Sequence, residues 1–333
     1  MRLKQIFSMQ QFAGAALFAA TCVLSSSVLA ADPVASYPEK VIRVISPFAA
    51  GGTTDILARM VGADFFPASG QPMIVENVTG AGGTIGAGHV ARAAPDGYTL
   101  EVGGVSTHAM SGSLYKKLPF DPVESFEPVS MLAHVTTGIA VNANSPFQTF
   151  EELVEYAKQN PGKLAYSSGG IGSINHLTMA SLTDAADLDM LHVPYRGGGP
   201  AALALIQDEV QVFAGGTSLI LPHVKSGAMR LLAVTGPERS RILPDVPAVN
   251  ETVPGFQTVN WYGVLAPAGL NPELKEKIWT ELDRIMRKPE VVEQMTSMGL
   301  EYPGLTTEQF KTALHNDQKQ WSAIIEKLDI ASD

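Results

Sequence analysis

The chain has 333 residues, is 45% hydrophobic and 17% charged, and carries a net charge of −10 at neutral pH. That balance belongs to a globular protein rather than a disordered one, and an acidic chain without a basic stripe is a poor nucleic-acid binder. Its one cysteine, Cys22, excludes a disulfide framework and a thiolate metal site.

The first element is a leader. Arg2 and Lys4 precede a mostly apolar run from Phe12 to Val23, and Val28-Leu29-Ala30 places small or neutral residues where a signal peptidase reads. Residues 1–30 are therefore expected to be a secretory signal peptide, cleaved after Ala30 and taking Cys22 with it. Ser25-Ser26-Ser27 interrupts the run short of the roughly 20 apolar residues that a membrane-spanning helix needs. About 300 residues remain, a length at which one hydrophobic core begins to split into two.

Beyond the leader the pattern is strand, glycine-rich turn, helix, repeated. Val41 to Ile45 is β-branched and apolar, Pro47 to Gly52 breaks it, and Thr54 to Val61 has helical spacing. Met73-Ile74-Val75 is a second strand, followed by a glycine cluster from Gly80 to Gly88, a helix through Ala93 and a third strand over Leu100–Val105. Further strands are expected at Ile139–Val141, Leu164–Ser167, Met190–Val193, Val210–Ala214, Leu231–Val234 and Val259–Leu265. Helices are expected after the capping box Thr149 to Glu152, through Leu177 and Met179, after Pro200 as first helical residue, over Pro272–Arg287, and over Thr307–Leu328 with Thr306 and Gln309 as capping box. This alternation predicts an α/β fold with largely parallel sheets. Architecture suggests two domains joined by two crossings, with the C-terminal segment returning to the first.

Three segments have the composition of an anion site. Ser46-Pro47-Phe48-Ala49-Ala50-Gly51-Gly52-Thr53-Thr54-Asp55 delivers a strand into glycines and then directly into a helix, whose first N–H groups and dipole attract anions. It lacks a P-loop lysine, so phosphate-transfer chemistry is not expected; the competing reading is a plain turn capped by Thr54 or Asp55. Ser168, Gly172 and Ser173 form a similar turn, and Arg196-Gly197-Gly198-Gly199 adds a guanidinium at another helix start. For Arg196 a surface ion pair competes with the binding role. Gly86-Ala87-Gly88-His89-Val90-Ala91 matches dinucleotide-fingerprint spacing, but inside a helix, and is read as coincidence. The seven histidines are scattered without metal-ligand spacing; Ser106 with His108, and His176, fall near the expected cleft loops. Trp261-Tyr262 is read as core. No nucleophile elbow or zinc-protease motif is present, so no catalytic residue, metal or cofactor is expected.

The chain resembles the Bug family of tripartite tricarboxylate transporter receptors over nearly its whole mature length. The resemblance rests on Tyr37-Pro38, Pro47 to Asp55, Val75-Glu76-Asn77, Gly80 to Gly83, Ala94-Pro95-Asp96-Gly97-Tyr98-Thr99-Leu100, His192 to Gly197, Leu221-Pro222-His223-Val224, Leu243 to Pro247 and Leu265-Ala266-Pro267. It implies a type-II periplasmic binding fold: two doubly wound α/β domains around a cleft, residues 37–130 plus 254–333 as domain 1 and 131–253 as domain 2. It further implies a periplasmic monomer that captures a small carboxylate and hands it to the transporter's membrane subunits or to a sensor kinase. Carried over by position, the ligand contacts are Phe48, Ala49, Gly51, Gly52, Thr53 and Thr54, then Ser168 through Ser173 and Arg196 through Gly199. Where many relatives have an Asp-Asn-like pair, this chain reads Ala214-Gly215-Gly216-Thr217. The expectation is a roomier pocket, bordered by Thr217 and lacking an acid, that takes a di- or tricarboxylate or an aromatic acid rather than an amino acid. A secreted hydrolase-like α/β enzyme and a receptor without a transporter are the alternatives.

Overall fold

The computed structural model of the protein describes residues 34–330; the leader, its cleavage site and Cys22 lie outside the described residues. β1 (Ile42–Ser46) pairs in parallel with β2 (Met73–Asn77) and with β3 (Thr99–Gly104). α1 (Thr53–Gly62) and α2 (Thr84–Ala91) make the connections. A π-turn over Ser106–Met110 and the short α3 (Ser111–Leu114) lead to β4 (Phe126–Val135). One residue later, β5 (Thr137–Asn142) begins a second sheet. There α4 (Phe150–Gln159), β6 (Leu164–Ser168), α5 (Ile174–Ala185), β7 (Met190–Pro194), α6 (Gly198–Ile206), β8 (Val212–Gly216), α7 (Thr217–Lys225) and β9 (Met229–Val234) alternate. The chain then returns to the first sheet through β10 (Asn260–Pro267), followed by α8 (Pro272–Met286), α9 (Pro289–Ser297), β11 (Leu300–Glu301) and α10 (Thr307–Lys327).

The strand orders are β11-β4-β10-β3-β1-β2 and β7-β6-β8-β5-β9. Both sheets are mixed rather than largely parallel: β10 runs antiparallel to β3 and β4, and β5 antiparallel to β8 and β9. β5 and β10 are each reached from the other sheet without a helical crossover, and parallel neighbours require one. Two further expectations shift. Gly197 caps α6, so Pro200 is the third helical residue instead of the first; it is tolerated because amides of the first turn have no intrahelical acceptor. β4 went unread because Pro128 lies in it, and proline argues against an interior strand. Pro128 pairs with Leu265 on one side only, since β11 reaches no further than His134 and Val135.

Each sheet buries apolar residues against its helices. Ile45, Met110, Trp261, Phe310 and Trp321 share one cluster, which Leu177 of α5 joins from the second sheet. On the second sheet Val212 and Ala214 face one cluster and Phe213 another, the period-two alternation of a strand covered on both sides.

Trp261 Nε1–H donates to Asp317 Oδ2 at 2.7 Å, and burial pushes that carboxyl up to about 6 in spite of the bond. The folded protein then holds this proton more tightly than the unfolded chain does between about pH 4 and 6, so the residue erodes stability as pH rises through that window. Asp317→Asn still accepts from Trp261. It is expected to raise the melting temperature near pH 8 and to leave it unchanged near pH 4. Calorimetry at the two pH values checks this, and an equal gain at both contradicts it.

Candidate ligand-binding site

The site is built from helix starts. The Ser46 hydroxyl at the end of β1 lies 2.8 Å from that of Thr54, which ties strand to helix. Gly52 occupies the cap position of α1 in extended conformation, with no side-chain cap, so neither Thr54 nor Asp55 caps it. Ile56 N–H bonds back to Gly52 O at 2.9 Å. The amides of Thr53, Thr54 and Asp55 therefore emerge from the helix end without intrahelical acceptors, at the positive pole of its dipole. Gly51 N–H and Gly52 N–H are spent on the loop itself, donating to Asp55 Oδ2 at 2.9 Å and to Ala49 O at 3.1 Å. Arg59 and the Gly51 amide hold the Asp55 carboxyl at about 2. It stays ionised but paired, and also accepts from Asn77 Nδ2 at 3.0 Å.

The loop after β2 settles onto this one because Gly83 has φ +97° and no side chain. A Cβ there would lie 2.5 Å from Thr107 Cγ2 and 3.1 Å from Phe48 Cζ. Ser106 opens the π-turn beside them, a local distortion that recurs at functional sites. His108, expected at the ligand, is instead fully buried beneath the loops. Its Nδ1 is 2.8 Å from Pro122 O and its Nε2 is 3.2 Å from Oε1 of the equally buried Glu101. Tyr262, read with Trp261 as core, pairs with Gly104 on β3; burial pushes its phenol up, and the polar groups of Asn260 and Thr53 act against that rise. Trp261 is core as read, but successive strand residues point to opposite faces, and that alternation separates the two aromatics.

On the second sheet, the loops after β6 and β7 join: Tyr195 N–H donates to Ser168 O at 2.9 Å and Gly197 N–H to Gly169 O at 3.2 Å. The hydroxyls expected to meet the ligand work inside the loop. Ser173 caps α5 by accepting from His176 N–H at 3.3 Å and donates to Gly170 O at 2.7 Å. Ser168 Oγ lies 2.6 Å from His192 Nε2 and accepts from Gly170 N–H at 3.1 Å. Gly172 N–H goes to His176 Nδ1 at 3.2 Å. What remains are the first amides of α5, at Ile174 and Asn175, and those of α6, at Gly198 and Gly199; Pro200 has none, and the first backward bond is Ala201 N–H to Gly197 O. Arg196 is exposed and makes no hydrogen bond or ion pair among the described residues, so the competing surface ion pair is absent there.

Thr217 is not at an open wall. It is buried, its amide donates to Thr136 O at 3.0 Å and its hydroxyl to Gly299 O at 3.2 Å, which ties α7 to the crossing and to the turn before β11. Nor does the missing acid leave room: the Phe213 ring occupies the space that a Cβ at Gly215 would enter. Phe213 itself is fully buried in the core beneath α6. A crevice of about 270 Å³ lies beside the crossings, lined by residues such as His134, Arg241, Thr258 and Glu301. It includes none of the loop residues above, and its Arg239 and Glu301 are taken up by Glu251 and Ser240.

The loop after β6 abuts α3 of the first sheet. A Cβ at Gly172 would lie 3.3 Å from Leu114, and Leu177 of α5 is buried in the first sheet's cluster. Two α/β sheets linked by two crossings, with unused helix amides at the ends of their parallel strands, make an arrangement able to hold an anion. Residues 57–330 match the family model described as tripartite tricarboxylate transporter family receptor, TctC, and the chain belongs to that family. Among similar solved structures is the periplasmic binding protein BugD (32% identity, TM-score 0.73, 89% of this chain and 100% of that one). Two others from Rhodopseudomonas palustris carry ligands. They are Rpa4515 with adipate (28%, TM-score 0.77, 89% and 99%) and MatC with malate (30%, TM-score 0.73, 87% and 100%).

Proposed function

We propose that the chain is an exported, non-enzymatic receptor that captures a small organic carboxylate between the loops of its two sheets. The observation that carries this is the set of unspent amides at the starts of α1, α5 and α6. Hydrogen bonds to a charged group contribute about 1.5–3 kcal/mol each, and micromolar affinity needs roughly 8 kcal/mol net. Several such amides on facing loops reach that figure after ordering costs, and Arg196 can add a forked contact. Tyr262 and Thr53 join Phe48 at the first loop. Residues 37–130 with 254–333, and 131–253, act as the two jaws, and ligand shifts the population toward the closed pair. The closed form is then read by membrane subunits of a tripartite transporter or by a sensor kinase.

The ligand class is a di- or tricarboxylate, or an aromatic carboxylate. Adipate and malate in the two neighbours support this. With Phe213 filling the place of a side chain at Gly215, an ammonium group finds no carboxylate on that wall, and a buried unpaired charge is costly. In a calorimetric panel, dicarboxylates are expected to bind at least tenfold more tightly than amino acids of equal length; the reverse order refutes the assignment. Mass spectrometry of ligand retained on the purified protein would name the compound.

A further inference from the structure

The loop that carries the second-sheet amides is clamped at both ends by histidines. Gly172 N–H is a backbone donor, so His176 Nδ1 must accept at 3.2 Å and the ring proton must sit on Nε2. The same ring stacks on His192, with centroids 3.9 Å apart and planes 15° from parallel. His192 stacks in turn on Tyr166 at 5.0 Å and reaches Ser168 Oγ with Nε2 at 2.6 Å. Ser168 Oγ accepts from Gly170 N–H at 3.1 Å. One imidazole thus fixes the amide of Gly172 and the other, through Ser168, that of Gly170, and the stack locks both ends together. Gly170 and Gly172 have φ of +123° and +75°, conformations that local preference alone does not single out.

We propose that His176 and His192 are positioning residues: as a neutral stacked pair they hold the Ser168–Ser173 loop in the shape that aims the α5 amides at the ligand. The proposal depends on the carboxylate reading only for what those amides meet. A proton on Nδ1 of His176 removes the acceptor for Gly172 and sets two donors head to head. A charge on either ring also meets the other at stacking distance, where burial already disfavours it. Burial, and then His192, push His176 down to about 4, and burial lowers His192 as well. Asp184 and Asp187 lie along the groove beside His176. Asp184 is paired with Lys327 at 2.6 Å; neither carboxylate counters the downward shift. The neutral pair therefore persists at neutral pH and is lost as pH falls toward 4, the sign expected of a base whose pKa is depressed by folding.

Glycine-selective ¹⁵N labelling with amide exchange tests this on the whole protein. Gly172 should be protected about tenfold or more in the wild type and in His176→Asn, whose Oδ1 replaces Nδ1, and should lose that protection in His176→Phe, which keeps only the stack. Ring ¹⁵N shifts of the wild type should show the Nε2–H tautomer at neutral pH. Affinity for adipate and malate should fall about tenfold in His176→Phe and recover in part in His176→Asn, which restores the acceptor but not the stack. Unchanged Gly172 protection in His176→Phe, an Nδ1–H tautomer, or titration of His176 near 6.5 overturns the proposal. The tautomer is read without any variant, and the exchange without any ligand, so failure here is distinguishable from failure of the carboxylate reading.

Discussion

Thr53→Asp is expected to weaken carboxylate binding about a hundredfold while leaving the fold as stable as before or slightly more so. Thr53 is the first residue of α1, next to three amides that no intrahelical acceptor uses. A carboxylate there stands roughly 5 Å from where the ligand's own would lie, and two like charges at that distance repel by about 3 kcal/mol at an effective dielectric of 20. That is about two decades of affinity. The same substitution puts an acid on the positive end of a helix, worth about 0.3–1 kcal/mol of stability. Titration calorimetry with whichever panel carboxylate binds the wild type, beside a thermal melt, separates the two effects. Wild-type affinity would place the anion elsewhere, and a large fall in stability would make Thr53 a structural residue.

Trp261→Ala is expected to act in the opposite way, through the core. The indole is fully buried, meets Phe310 edge-on at 5.1 Å and donates to Asp317. Removing it costs about 3–5 kcal/mol by the cavity left behind, and leaves Asp317 without its donor. A fall of roughly 10 °C in the melting temperature follows for a chain of this size. Affinity should fall as well, because Tyr262 is the next residue and rides on the same strand. Trp261→Phe fills most of the hole and should lose less than half as much. A melt unchanged in Trp261→Ala would mean that this cluster is not what holds the first sheet together.

The strand and helix of Ile42–Gly62 were legible because β-branched residues, glycines and a helical spacing follow one another without ambiguity. The capping box at Thr306 and Gln309 was legible for the same local reason, and both of its bonds are made, at 2.9 and 3.2 Å. β4, with Pro128, and α7, with Pro222 inside it, carry residues that local rules count against a strand or a helix. Their neighbours override those rules. Ser168, Ser173, Thr217 and His108 have the chemistry of ligand contacts, yet spend it on partners 2 to 82 residues away.

Local chemistry alone settled that this chain alternates strands and helices, that glycines stand where helices begin, and that it carries no cysteine beyond Cys22. Those properties depend on φ/ψ freedom and side-chain periodicity within a few residues. Which strand reverses, which hydroxyls are already taken, that Phe213 fills the place beside Gly215 and that His176 faces His192 were decided only by tertiary packing. A hydrogen bond or a filled volume belongs to two groups at once, and their distance in space is not written in their distance along the chain.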